Sequence, residues 1–137
     1  MGSVINSERL PNIAHVGIGT QNATITLPAL YVRKHSRIKE IRIADQLGIA
    51  ADNTNYMTFV LQDASATSYA SYDTRAAHEG ALVANVSKKM TLTSPVGDTT
   101  NQPEVDVPAG TELSLVVTAH ATVTTTLARV QIEMYPL

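Results

Sequence analysis

Apolar and polar residues alternate along most of this chain with a period of two, which is the pattern of a half-buried β-strand. In residues 56–62, Met57, Phe59 and Leu61 fall on one face, and residues 111–119 alternate in the same way. No segment shows a sustained helical period. The pattern predicts an all-β protein of eight or nine strands, drawn from residues 12–20, 23–32, 37–45, 56–62, 66–72, 88–93, 105–107, 111–119 and 124–135. Short strands of this number favour a β-sandwich, and we expect a jelly roll.

Two of these strands require an irregularity to keep their apolar residues on one face. Ile38 is out of phase with Ile41 and Ile43, which predicts a β-bulge near the start of the third strand. In residues 124–135, Leu127 shares a face with Val130 and the following apolar residues only if the register slips once near 128–129. Residues 88–93 are expected to form one strand with Met90 and Leu92 inward, and residues 75–85 to form a loop.

The two ends of the chain differ in character. Residues 1–11 are polar, aperiodic and closed by Pro11, so we expect an extended N-terminal arm. Residues 12–137 then form a single β-sandwich domain, a size that can bury a core without disulfides or metals.

The amino-acid composition excludes several classes of function. Val, Ile and Thr make up 39 of 137 residues, as expected for strands, and the chain has no Cys and no Trp. Thiol catalysis, disulfides and Cys-based zinc sites are therefore excluded. A net charge of −2 gives no field that would draw the whole molecule to nucleic acid or a membrane. No membrane-length apolar run and no signal peptide are evident, so synthesis in the cytoplasm is expected.

Catalytic and metal-binding motifs are weak throughout. The four His residues are far apart in sequence, and there is no nucleophile elbow or phosphate-binding glycine loop. Glu104 and Asp106 share a strand face and could form a glycosidase dyad or a calcium site, although a solvated edge strand explains them more simply. We therefore expect no enzymatic activity and no cofactor.

Sugar binding is the most common alternative role for a small β-sandwich. It requires exposed aromatic rings, and Tyr56 and Tyr72 are the tyrosines that the alternation allows to face solvent. A carbohydrate-binding module is therefore one alternative hypothesis.

One charged segment stands out, because residues 33–42 contain five of the ten basic residues of the chain. One interpretation is a solvated hairpin end with lysine-type protection of a sheet edge. The other is a docking patch for an acidic protein surface, since nucleic-acid binding would favour interleaved aromatic residues. The candidate docking residues are Arg33, Lys34, Arg37, Lys39 and Arg42.

Several runs resemble tailed-bacteriophage virion proteins in their sequence style. They are residues 38–45, residues 49–62, the run VPAGTELSL at 107–115, and the closing strand that ends VQIEMYP at 130–136. Together these runs are similar to small jelly-roll capsid decoration, or cement, proteins. The resemblance carries over no functional residue.

This resemblance implies a structural role on the exterior of the virion capsid. It implies a dimer or trimer that bridges neighbouring subunits of the major capsid protein. From the net charge and the lack of a membrane-length apolar run, we expect neither membrane nor direct nucleic-acid contact. We expect residues 1–11 to bind in extended form along a neighbouring subunit. The alternatives are a head-tail or tail component, or the carbohydrate-binding module.

Overall fold

The computed structural model describes residues 12–20, 22–93, 104–125 and 127–137. This part of the chain forms ten β-strands and no helix. The strands are β1 Asn12–Ile18, β2 Ile25–Val32, β3 Ser36–Asp45, β4 Met57–Gln62, β5 Ser68–Asp73, β6 Lys88–Lys89, β7 Thr91–Leu92, β8 Val105–Val107, β9 Thr111–Ala119 and β10 Ala128–Pro136. Residues 1–11, where the arm is predicted, and residues 94–103 lie outside the described residues.

The strands form two antiparallel sheets that pack as a sandwich. The first sheet has the order β1-β10-β3-β6, with β8 also paired to β3, and the second has the order β2-β9-β4-β5-β7. The all-β sandwich prediction is therefore confirmed. Because β1, β2, β3 and β4 alternate between the sheets, the topology favours a jelly roll, which stays a prediction.

The core lies between the inward faces of both sheets. Ile41 and Ile43 of β3, Phe59 of β4, Leu115 of β9 and Ile132 of β10 have no exposed surface. These residues occupy the alternate positions that the period of two assigned to the interior. Burial of these side chains is the main stabilising contribution to the fold.

The predicted bulge in β3 is confirmed. The pairing of β3 with β10 changes register between Glu133 and Met134, which lie opposite Glu40 and Ile38, so Lys39 is the extra residue. Ile38 and Ile41 are consequently both buried although they are three residues apart.

The slip predicted near residues 128–129 is wrong. Ala128 is buried in line with Val130, whereas the Leu127 side chain is 60% exposed. β10 therefore alternates without interruption from Ala128 onwards, and the larger apolar residue lies just outside the strand.

The single strand predicted at residues 88–93 is in fact two. β6 pairs with β3 of the first sheet, and β7 pairs with β5 of the second. Met90, between them, is buried and donates its N–H to Ile41 O at 2.8 Å, while Thr93 N donates to Tyr69 O at 2.8 Å. The segment thus crosses from one sheet to the other at Met90, which we call the sheet crossing.

The loop prediction for residues 75–85 agrees with the structure. Leu82 forms an isolated bridge with Ile49 outside the named strands, and this bridge brings two loops together. Gly48 beside it has a φ of +80°, and a Cβ there would lie 2.6 Å from Leu82 O. Only glycine fits both the backbone conformation and this close approach.

Two identical substitutions test the corrected boundary of β10. We expect Leu61→Ala, in the core, to lower the free energy of unfolding by about 2–5 kcal/mol through lost burial and a residual cavity. Leu127→Ala should change it by no more than about 0.5 kcal/mol, because Leu127 is exposed. Urea denaturation measures both, and a similarly large loss for Leu127→Ala would contradict the boundary.

Candidate protein-docking surface

The fold divides the basic segment between a loop and a strand. Arg33 and Lys34 are exposed in the loop that joins β2 to β3, and Arg37, Lys39 and Arg42 lie in β3. β3 has β10 on one side and β6 and β8 on the other. The interpretation of this strand as a protected sheet edge is therefore wrong, although Arg33 and Lys34 do lie at a solvated strand connection.

Arg37 is held by carboxylates on the neighbouring strand. Its Nε donates to Asp106 Oδ1 at 2.6 Å, and its Nη2 donates to Asp106 Oδ2 at 3.3 Å. Glu104 Oε2 is 3.9 Å from the same Nε and accepts a hydrogen bond from the Tyr135 hydroxyl at 2.9 Å. The hydrogen bond from Arg37 holds the pKa of Asp106 below its usual value.

Glu104 and Asp106 are therefore bound to a guanidinium and a phenol. A glycosidase needs one free acid and one free carboxylate around an open bond, and calcium needs several free oxygen ligands. The arrangement favours a structural pair that joins β3 to β8. No group of three or more side chains suited to hold a metal occurs among the described residues.

Arg42 is also engaged within the protein. Its Nη1 donates to Glu40 Oε1 at 2.6 Å, and its Nε donates to Ser87 Oγ at 3.0 Å. Lys89 Nζ lies 3.5 Å from the same Glu40 oxygen. The hydrogen bond from Arg42 is the main reason that the pKa of Glu40 is lowered. The single negative charge of Glu40 thus offsets one of the two positive charges of Arg42 and Lys89.

The remaining three cations make no ion pair with any described residue. Arg33 and Lys34 are among the residues that line an apolar groove of about 310 Å³, to which β1 and β2 also contribute. We call this the β1–β2 groove. Tyr31 and Ile13, which line it, are 52% and 53% exposed. Lys39, at the bulge, lines a different depression beside β6.

The structure overturns the assignment of Tyr72 to the solvent face. Tyr72 is 1% exposed, and its hydroxyl donates to Gly80 O at 3.0 Å and Ala81 O at 3.2 Å. Its ring packs in the core, and its hydroxyl provides a hydrogen-bond donor to backbone carbonyl groups of the loop.

Tyr56 is partly exposed, but both faces of its ring are covered. The His120 ring stacks on it with a centroid distance of 4.0 Å, and the Arg75 guanidinium carbon lies 4.4 Å from the ring centre. Two groups at these distances cannot occupy the same side, so one covers each face. Neither tyrosine on which the sugar-binding hypothesis depended is free to stack against a sugar ring.

Sequence reasoning missed the β1–β2 groove and the exposure of Tyr31 at its margin. Residues from β1, β2 and β10 form this groove, and their separation along the chain leaves no local signal. The bulge that exposes Lys39 was visible in the phase of the isoleucines. Within the described ranges, no helix is long and apolar enough to cross a membrane.

The sequence matches no known family model and no curated protein. In structure, the chain is similar to a chain of the solved structure described as "Cyanophage Pam1 capsid asymmetric unit". The TM-score is 0.56 at 12% sequence identity, over 93% of this chain and 85% of that chain. The likeness establishes the fold. It spans nearly the whole described sandwich rather than a single motif.

The Arg37–Asp106 pair predicts a small pH dependence of stability. Because the folded-state pKa of Asp106 is lowered, its stabilising effect is present above the unfolded pKa of about 3.9 and is lost as the pH falls through the folded value. Asp106→Asn should therefore destabilise the protein more at pH 6 than near pH 3. Denaturation at several pH values measures this effect.

Glu112→Gln provides the control, because Glu112 is exposed and has no ion-pair partner among the described residues. An equal pH dependence of the two variants would show that the Arg37 contact does not stabilise the native carboxylate.

Proposed function

We propose that this protein is a structural component of a bacteriophage virion that decorates the capsid exterior and stabilises it by bridging neighbouring coat subunits. The fold likeness carries this proposal, because nearly all of the chain follows the fold of a chain in a cyanophage capsid asymmetric unit. In this role the protein acts by buried interface area and complementarity rather than by chemistry.

The arrangement of charged groups supports a binding role. Arg37, Arg42 and Arg75 each make a contact of 2.6 Å with a carboxylate of the same chain. Such groups stabilise the surface of the sandwich and are not poised for proton transfer. Of the five candidate docking residues, Arg33 and Lys34 are adjacent, exposed and without an ion pair to any described residue.

The geometry around these two residues indicates the chemistry of the contact. Arg33 and Lys34 supply positive charge beside the β1–β2 groove, and Tyr31 supplies exposed apolar surface. A coat-protein segment with acidic residues next to an apolar side chain would complement both features. Electrostatic attraction would guide the approach, and burial of the apolar side chain would hold the contact.

We further propose that residues 1–11 add contacts along a neighbouring coat subunit, and that the protein acts as a dimer or trimer. Asn12, where the described chain starts, is itself at the margin of the groove. The arm would therefore leave the sandwich close to the proposed docking surface.

A double charge reversal tests the docking surface. We expect Arg33→Glu with Lys34→Glu to weaken binding to purified capsids that lack this protein by about tenfold or more, because like charges would then face the acidic coat surface. Wild-type binding should also weaken as salt is raised. Co-sedimentation with capsids measures both effects.

The matched control is Lys88→Glu with Lys89→Glu, which changes the net charge equally at another adjacent basic pair. Capsid binding that is the same in both double variants would contradict the assigned surface. Failure of the wild type to bind capsids, or its location only in the tail of purified particles, would contradict decoration itself.

Removal of residues 1–11 tests the arm separately. We expect the truncated protein to retain its thermal unfolding midpoint but to occupy fewer capsid sites, because the arm adds its contacts only on assembly. Quantitative mass spectrometry of reconstituted particles measures the occupancy. Unchanged occupancy at limiting protein concentration would exclude this role for the arm.

A further inference from the structure

β1 forms the outer strand of the first sheet, and no described residue pairs with its outer edge. Exposed sheet edges are normally protected by charges, prolines, bulges or short length. β1 has seven residues, NIAHVGI, with no Asp, Glu, Lys, Arg or Pro, and it pairs with β10 without a register shift. This edge therefore lacks those protections.

The other outer strands differ in this respect. β2 contains Pro28 and a register shift between Pro28 and Leu30. β6 consists of two lysines, β7 of two residues, and β8 of three residues centred on Asp106. Among the outer strands that the structure describes, β1 is therefore the one best suited to pair with a further strand.

The phase of the sheet shows which groups this edge presents. Gln46 N donates to Leu127 O at 3.0 Å, and this pair continues the register between β3 and β10. Leu127 therefore bonds toward β3, and so do the odd-numbered residues of β10 up to Glu133. In an antiparallel sheet, successive residues direct their N–H and C=O groups to opposite neighbouring strands, so the even-numbered residues of β10 bond to β1. Their partners in β1 are also even-numbered. Ile13, His15 and Gly17 consequently direct their N–H and C=O groups outward.

Ile13 and His15 direct their side chains to the exposed face of the sheet, and Gly17 lies on the same face. Ile13 is 53% exposed, and a Cβ added to Gly17 would have no atom within 4 Å. His15 lies midway between them. The edge therefore carries a large apolar side chain and an open glycine at equal distances from its centre.

We propose that β1 pairs with β1 of a second copy of this chain, antiparallel and about a two-fold axis through His15. This register makes three hydrogen-bonded pairs, His15 with the second His15 and Ile13 with Gly17 in both directions, each exchanging two N–H···O bonds. A two-residue shift would use fewer of the outward groups. Ile13 of each copy would cover the open glycine of the other, so the edge is self-complementary.

The neighbouring charges are compatible with this register. Glu133 is beside Ile13 and Arg129 is beside Gly17 in β10. In the dimer, Glu133 and Ile13 of one copy and Gly17 and Arg129 of the other copy would lie side by side, in this order, in a row across four adjacent strands. At three strand spacings, about 14 Å, the attraction is weak, but no like charges face each other in these rows. The inference depends on the sheet edge alone and not on the virion role.

His15→Asp tests the axis, because two carboxylates would face each other across it. We expect the wild type to be a dimer in sedimentation equilibrium and the variant to dissociate with a constant raised about tenfold or more. His78→Asp, the same change at an exposed turn residue, should leave the dimer intact. Circular dichroism would establish that both variants are folded.

The absence of cysteine from the chain allows the register to be tested directly. A short bifunctional thiol reagent should link His15→Cys into a covalent dimer. It should link Ile13→Cys to Gly17→Cys in a mixture of the two variants more efficiently than either variant to itself. His78→Cys should not be linked under the same conditions.

Three results would overturn the proposal. A monomeric or trimeric wild type would exclude a two-fold edge pairing, and a His15→Asp dimer as tight as the wild type would exclude this axis. Amide exchange provides the third, because Ile13, His15 and Gly17 should be protected only in the dimer. Protection in a monomer that disappears when residues 1–11 are deleted would assign the edge to the arm of the same chain.

Discussion

The bulge at Lys39 in β3 determines both the core and the charged surface of this protein. It allows Ile38 and Ile41 to be buried on the same face although they are three residues apart. As a consequence, Arg37 is placed opposite Asp106, while Arg42 reaches Glu40. β3 also bonds to β10 on one side and to β6 and β8 on the other. Without the bulge, the side chains on one side of Lys39 would point to the opposite face of the sheet, and charged side chains would be buried there.

Much of the fold could be predicted because a period of two is a local signal. It located β4 and β9 closely, and the phase of the isoleucines revealed the bulge. The signal failed where a residue is apolar but lies outside the strand, as Leu127 does, and where a strand changes sheets, as happens at Met90. It also failed to distinguish the two faces of β5, where the register shifts near Leu61 and Tyr72 is buried.

The candidate docking surface was harder to predict, because it depends on contacts between distant parts of the chain. Arg37 and Asp106 are 69 residues apart, so their pairing could not be inferred from the basic segment alone. Once such pairs are formed, five candidate cations reduce to Arg33, Lys34 and the separate Lys39. The structure thus concentrates a diffuse charge signal next to an apolar groove, and this combination is more specific for a protein partner than charge alone.

The sheet crossing has a mechanical consequence. Within five residues the chain hydrogen-bonds to β3 in one sheet and to β5 in the other, with the Met90 side chain buried between them. A lateral force that slides one sheet over the other must therefore break the pairing of β6 or of β7. The segment therefore resists sliding of the two sheets past each other. It would transmit a load applied to one face of the protein directly to the opposite face.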